Sequence, residues 1–176
     1  PEQMAYWINL HNAYTIKLII DHYRVDSIRD IKLGGLFASG PWDAKLMEIE
    51  GEEVSLNDVE HRILRPIWRD PRIHYAVNCA SYSCPNLQPV PFTAENTEEL
   101  LDRGAREYVN HPRGVRFEGR RLYVSSIYAW YQEDFGGTEA GVIEHLLGYA
   151  EEPLAERLRE YDGSLRDEYD WSLNEP

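Results

Sequence analysis

The residues from Glu2 to about Tyr23 are apolar on almost every face of a helix. Met4, Trp7, Ile8, Tyr14, Leu18 and Ile19 recur at helical spacing, and Ala5, Ile16 and Ile20 fill the neighbouring face. Only the edge through Lys17 and Asp21 is polar. A helix with so little solvent face is predicted to run through the centre of a domain. Asn9 and Asn12, at i and i+3, share a face with Ala5 and Ile16. A buried amide has to be hydrogen-bonded, so each asparagine is expected to hold a specific partner.

A length of 176 residues suits one domain, residues 1–176. Gly34-Gly35 and Ser39-Gly40-Pro41 mark a loop. Lys45 to Ser55 reads as a hairpin turning at Glu50-Gly51-Glu52. Ser55-Leu56-Asn57-Asp58 is a helix start, with an acid at the third helical position, and the helix is predicted to run to about Trp68. Asp70-Pro71 is read as its stop. Ile73 to Cys79 is short and apolar and is predicted to be a buried strand, with Ile73, Tyr75 and Val77 on one side and His74, Ala76 and Asn78 on the other. A Ser- and Pro-rich loop covers Ala80 to Pro91, and a helix covers Thr93 to Tyr108. Val115-Arg116-Phe117 and Leu122-Tyr123-Val124 form a second hairpin. Helices follow from Ser125 or Ser126 to Glu133, from Thr138 to Tyr149 and from Pro153 to Tyr161. The fold class is α+β, mostly helical, with a few short antiparallel strands. The helical pattern begins almost at Pro1, so the chain is expected to lack its native N-terminal segment.

Charge narrows the partners. Asp and Glu number 31 against 18 Lys and Arg, a net charge of −13 that repels phosphate backbones at long range, so nucleic acid is set aside. No apolar run reaches the roughly 18 residues that a transmembrane helix needs. The two cysteines, Cys79 and Cys84, are too few for a disulfide framework or a Cys-rich zinc site. They make one local disulfide in an oxidising compartment or two free thiols in a reducing one. No H-x-x-x-H or H-E-x-x-H spacing occurs, so no metal or other cofactor is expected.

Chemistry concentrates in two places. A cysteine at the end of a buried strand is rigidly held, and a nearby imidazole can make it a thiolate. His61, His74 and His11 are the candidates, and an Asn9 or Asn12 amide or the backbone N–H groups after Cys79 could receive an oxyanion. Equally, a lone cysteine on an apolar strand is a common core residue. Glu60 falls on the apolar face of its helix and His61 at the edge of that face. A carboxylate there needs a partner. Either Glu60 orients a catalytic His61, or it pairs with an arginine such as Arg65 or Arg121. The aromatic run Tyr128-Ala129-Trp130-Tyr131 and the tail residue Trp171 read as core, with a carbohydrate platform as the functional alternative.

Together these pieces resemble the family known as domain of unknown function 547. The resemblance rests on Trp7-Ile8-Asn9-Leu10-His11-Asn12-Ala13, on Ser55-Leu56-Asn57-Asp58-Val59-Glu60-His61 with Arg65, and on His74 to Cys79 with Ala80-Ser81. Trp130-Tyr131 with Asp134-Phe135, and Tyr169-Asp170-Trp171-Ser172-Leu173-Asn174, extend it along the chain. The resemblance favours Cys79 over Cys84 as a nucleophile and Glu60-His61 over His74 as its partner. It also allows a periplasmic or exported location. A looser similarity links the first helix and His74-Tyr75-Ala76-Val77 to the papain-like arrangement, although this helix carries no cysteine.

The leading expectation is a cysteine-dependent hydrolase or acyl-transfer enzyme acting on a peptide-like or amide substrate. Cys79 is its nucleophile, His61 its general base, Glu60 the orienting acid, and Asn9 or Asn12 an oxyanion or orienting amide. Arg65, His74 and Ser81 are the substrate-binding candidates. The alternative is a non-catalytic module that binds a protein partner, in which the Glu, His and Asn motifs form a buried structural network. A third class is a redox pair of Cys79 with Cys84.

Overall fold

The computed structural model describes residues 1–33 and 40–174, so the expected Gly34-Gly35 turn lies outside the described residues. Helix α1 spans Glu2–Asp21 and buries Met4, Ala5, Ile8, His11, Asn12, Thr15 and Leu18. Tyr6, Ile16 and Ile20 stay exposed, so the helix lies against the core along one side and is not enclosed all round. Both asparagines have the partners their burial demands. Asn9 Nδ2 donates to the Phe92 carbonyl (2.8 Å), and its Oδ1 accepts from the Phe92 N–H (2.9 Å). Asn12 does the same across a gap: Nδ2 donates to the Ala76 carbonyl (2.8 Å) and Oδ1 accepts from the Asn78 N–H (2.8 Å).

Strands β1 (Met47–Ile49) and β2 (Glu52–Val54) form the first hairpin, with Met47 opposite Val54. Its tight turn requires positive φ at both central residues, which Glu50 (52°) and Gly51 (84°) adopt. The next helix opens with a reciprocal cap. Asp58 N–H donates to Ser55 Oγ (3.1 Å), and Ser55 N–H donates to Asp58 Oδ2 (2.9 Å). From Asp58 to Leu64 the winding widens to π-helical before α2, Arg65–Trp68, resumes the ordinary pitch. Pro66 stands at that change. It offers no N–H to Arg62, and its ring crowds the Arg62 carbonyl, so a wider turn before it relieves the clash.

The segment after Asp70 overturns one expectation. Residues 73–79 are not a strand: Pro71–Tyr75 is a 3-10 helix. Asp70 caps it by accepting from the Arg72 N–H (2.9 Å), and Pro71 occupies its first position. The Asp-Pro pair that ends one helix therefore begins another, and the alternation of His74 with apolar neighbours is not a sheet pattern. With no strand at His74, the structure carries no support for the papain-like arrangement.

Helix α3 is Thr97–Val109, and β3 (Val115–Glu118) pairs antiparallel with β4 (Arg121–Ser125). The expected helix after Ser126 is two short pieces, α4 (Ile127–Trp130) and a 3-10 turn over Gln132–Phe135 that ends at Gly136 with φ 95°. Helices α5 (Glu139–Leu147) and α6 (Leu154–Arg159) follow. Strand β5, Arg166–Glu168, then lies parallel to β4, so the strands are not all antiparallel. The α+β class holds. Beyond β5 the tail crosses the loop after Cys79: Tyr82 N–H donates to the Ser172 carbonyl, and Asn174 N–H to the Ala80 carbonyl.

Two apolar clusters share the interior. One gathers around Ile8, Leu56, Val59 and Ile73, and the other around Tyr75, Tyr108, Tyr128 and Phe135. No described helix is long and apolar enough to cross a membrane.

Candidate active site

A cavity of about 330 Å³ opens where the two clusters meet. Trp42, Val77 and Trp171, which pack with the first cluster, and Ile127, Tyr131 and Tyr169, which adjoin the second, form its walls. Glu60, His61, His74, Cys79 and Cys84 face into it.

Cys79 and Cys84 are both free thiols. Cys79 Sγ lies 2.9 Å from the Tyr169 hydroxyl and 3.2 Å from Ser81 Oγ. Ser81 in turn donates to Tyr169 (2.8 Å), which leaves the phenol proton for the sulfur. Burial raises the Tyr169 phenol far above its ordinary range, so it stays a donor. The Cys79 backbone N–H donates to Cys84 Sγ (2.9 Å). The Cys79 thiol is lowered from 9.0 to about 7, first by the neighbouring Cys84 thiol and then by Ser81 and Tyr169, against the opposing effect of burial. Cys84 moves the other way, pushed up by burial.

Glu60 sits among three imidazoles and hydrogen-bonds none. Its carboxyl is 3.6 Å from His74 Nδ1, 3.9 Å from His61 Nδ1 and 4.0 Å from His11 Nε2. Burial raises its pKa from 4.5 to about 7, with the Cys79 charge adding and the Arg65 charge opposing. The carboxyl keeps 15% of its side chain accessible, so it opens on the cavity. The expected Glu60–arginine pair does not form, because Arg65 is taken. Its Nε donates to Asp134 Oδ2 (2.6 Å), its Nη1 to His61 Nδ1 (3.2 Å), and its guanidinium lies 4.6 Å from the Tyr131 ring centre.

That contact fixes a tautomer. Arginine only donates, so His61 Nδ1 accepts, and the neutral ring carries its proton on Nε2. Burial and the Arg65 charge lower His61 to about 4, which keeps it neutral near pH 7. His74 Nε2 hydrogen-bonds Asp134 Oδ2 (2.7 Å), and His74 stacks on Tyr131 at 4.4 Å. The His74 contact, with Arg65 beside it, holds the Asp134 carboxyl well below the usual carboxylate range, so His74 Nε2 bears the proton and Nδ1 turns an acceptor toward Glu60. His11 lies behind Glu60, buried and lowered to about 4 by burial, and its Nδ1 has no partner among the described residues.

Of the residues singled out in the sequence, Cys79, Glu60, His61 and His74 meet at the cavity, with Ser81 supporting the thiol and Arg65 supporting His61. Asn9 and Asn12 do not join them, since both amides are committed to backbone groups. Sequence reasoning assigned no role to Asp134 or Tyr169, and gave Cys84 only that of a redox partner to Cys79. The first two stand inside motifs the resemblance rested on, the only signal of them. Among the described residues, no group of three or more His, Cys, Asp or Glu side chains is placed to hold a metal ion.

An α+β domain with a thiol and a carboxyl sharing one aromatic-walled cavity defines a class of site. The chain belongs to the family described as protein of unknown function DUF547, whose family model matches residues 1–109. No curated protein and no solved structure matches it. The matched segment carries Glu60, His61, His74, Cys79 and Ser81, while Tyr131, Asp134, Tyr169 and Trp171 come from residues after it.

Proposed function

We propose that the protein is a cysteine-dependent hydrolase or acyl-transfer enzyme acting on a peptide-like or amide substrate. One observation carries this reading. A thiol lowered to about 7 and a carboxyl raised to about 7 line the same cavity, so a proton passes between them near neutral pH at little cost. The base is therefore Glu60, backed by His74 Nδ1, rather than His61. With its proton held on Nε2, His61 is a neutral donor suited to a developing oxyanion. Cys79 gives its proton to Glu60 and its sulfur attacks the carbonyl carbon. The C–N bond of the tetrahedral adduct breaks, and the amine leaves with the proton from Glu60. Water then attacks the thioester, its proton going to Glu60, and the acid and the free thiol are released. In transfer, another nucleophile replaces that water.

The pH dependence of iodoacetamide alkylation at Cys79, read by peptide mass spectrometry, tests the first requirement. A midpoint near 7 is expected, against about 8.5 for an ordinary cysteine. Tyr169→Phe removes the donor to the sulfur and is expected to move that midpoint upward by about half a unit to one unit. Labelling only after unfolding would overturn the proposal.

A second reading has its own support. Asn9, Asn12, Arg65 and Asp134 are all engaged in holding the frame, as a non-catalytic binding module with a buried polar network requires. The two readings diverge on the behaviour of Glu60→Gln.

A further inference from the structure

The wall facing Cys79 has a chemistry of its own. Trp171 meets Trp42 edge-on at 5.5 Å and stacks with Trp130 at 5.6 Å, and Tyr169 lies 4.6 Å from Trp171. One aromatic surface thus runs from the phenol that touches Cys79 out to Trp130. Trp130 is left 49% exposed at the rim. An aromatic ring half-open at the mouth of a cavity is poised to gain contact area from a ligand.

The charges facing the cavity are of one sign. Glu60 and Cys79 are acids, and the imidazoles of His61 and His74 are neutral near pH 7 because burial lowers both. Arg65 does not line the cavity, and its donors are committed to Asp134 and His61. Arg29 lies 5.3 Å from the Trp171 ring centre and is likewise outside the lining. A carboxylate entering here would meet two acids and, among the described residues that line the cavity, no cation to offset them. A volume of about 330 Å³ is at the small end for ligand sites and suits one side chain beside the reacting group, not an extended peptide.

From this wall and this charge pattern we infer that the site selects small acyl donors whose group beside the scissile carbonyl is uncharged and aromatic or apolar, and that it rejects carboxylates. The inference rests on the thiol reading of Cys79 given above. Trp130 and Trp171 are its specificity-determining residues. They come from α4 and from the tail, after the segment that the family model matches, while Trp42 on the same wall lies within it.

Two chloroacetamides test it, one carrying an N-benzyl group and one an N-carboxymethyl group. In each the Cys79 thiolate displaces chloride and leaves a thioether that mass spectrometry reads. Their rates at pH 7.5 are compared with those of glutathione, which corrects for the probes' intrinsic reactivity. The corrected benzyl rate is expected to exceed the carboxymethyl rate on the order of ten-fold or more, and Trp130→Ala to shrink that ratio. Iodoacetamide, which carries neither group, reports the thiol alone. Fast iodoacetamide labelling with a corrected ratio near one would overturn the selectivity and leave the thiol reading standing. A folded protein whose Cys79 resists iodoacetamide would overturn both.

Discussion

Glu60→Gln is expected to stabilise the folded protein at pH 8 and to leave its stability unchanged near pH 4. Burial, reinforced by the Cys79 charge, raises this carboxyl from 4.5 to about 7. The folded protein therefore holds a proton that the unfolded chain has already released. The stability of that neutral acid is complete below about 4.5 and is lost as pH rises through about 7. Each pKa unit is worth about 1.4 kcal/mol, so by pH 8 the parent carries a penalty of about 3 kcal/mol that the glutamine variant escapes. The histidines work in the opposite direction on the acid side. His11, His61 and His145 are lowered from 6.5 to about 4, chiefly by burial, so their contribution is present above 6.5 and is lost as pH falls through about 4. Both proteins share that loss, and it cancels from the difference. Urea unfolding at the two pH values measures the effect. A variant that is more stable at pH 8 and has lost turnover is the signature of a working acid placed at a cost to the fold. A variant less stable at pH 8 would instead mark Glu60 as a strut of a structural network.

Much of the frame was legible because local chemistry wrote it. The reciprocal Ser55–Asp58 cap, the Glu50-Gly51 turn and the helical spacing of α1 each rest on residues within a few positions of one another. The need for partners at Asn9 and Asn12 was legible too, although not their identity, since Phe92, Ala76 and Asn78 lie 64 to 83 positions away. Residues 73–79 misled because a short apolar run fits a strand or a helical turn equally well, and the deciding signal was Asp70-Pro71 read as a start. Strand β5 is polar and exposed throughout, so no alternation announced it. The site divides in the same way. Cys79, Glu60 and His61 stood out as residue types, but their roles depend on neighbours the spacing cannot supply. Arg65 turns His61 into a donor, the wider π-helical winding carries Glu60 and His61 to one cavity, and the tail delivers Tyr169 to the sulfur.

Asn12→Ala tests how the frame holds that sulfur in place, and its expected cost to stability is as large as the gain from Glu60→Gln. The Asn12 amide satisfies the Ala76 carbonyl and the Asn78 N–H, both in the segment that leads directly to Cys79. Alanine leaves the buried Ala76 carbonyl and the part-buried Asn78 N–H without partners, at about 1–3 kcal/mol for each. A total of about 2–6 kcal/mol is expected, a large share of the stability of a domain this size, and it lowers Tm by roughly 10 °C. Asn9→Ala breaks the matching pair at Phe92, but that pair is only partly buried and anchors a segment that does not carry the thiol. It is expected to destabilise less and to leave the alkylation midpoint of Cys79 where it was. Asn12→Ala is expected to move that midpoint upward as well, because freeing Asn78 lets Cys79 drift from the Tyr169 and Ser81 hydroxyls. Thermal unfolding and iodoacetamide titration of the two variants separate the effects. If both lower Tm and neither moves the midpoint, the first helix supports the fold without positioning the thiol. If Asn12→Ala alone moves it, the helix that dominates the sequence also sets the reactivity of the cysteine packed beyond it.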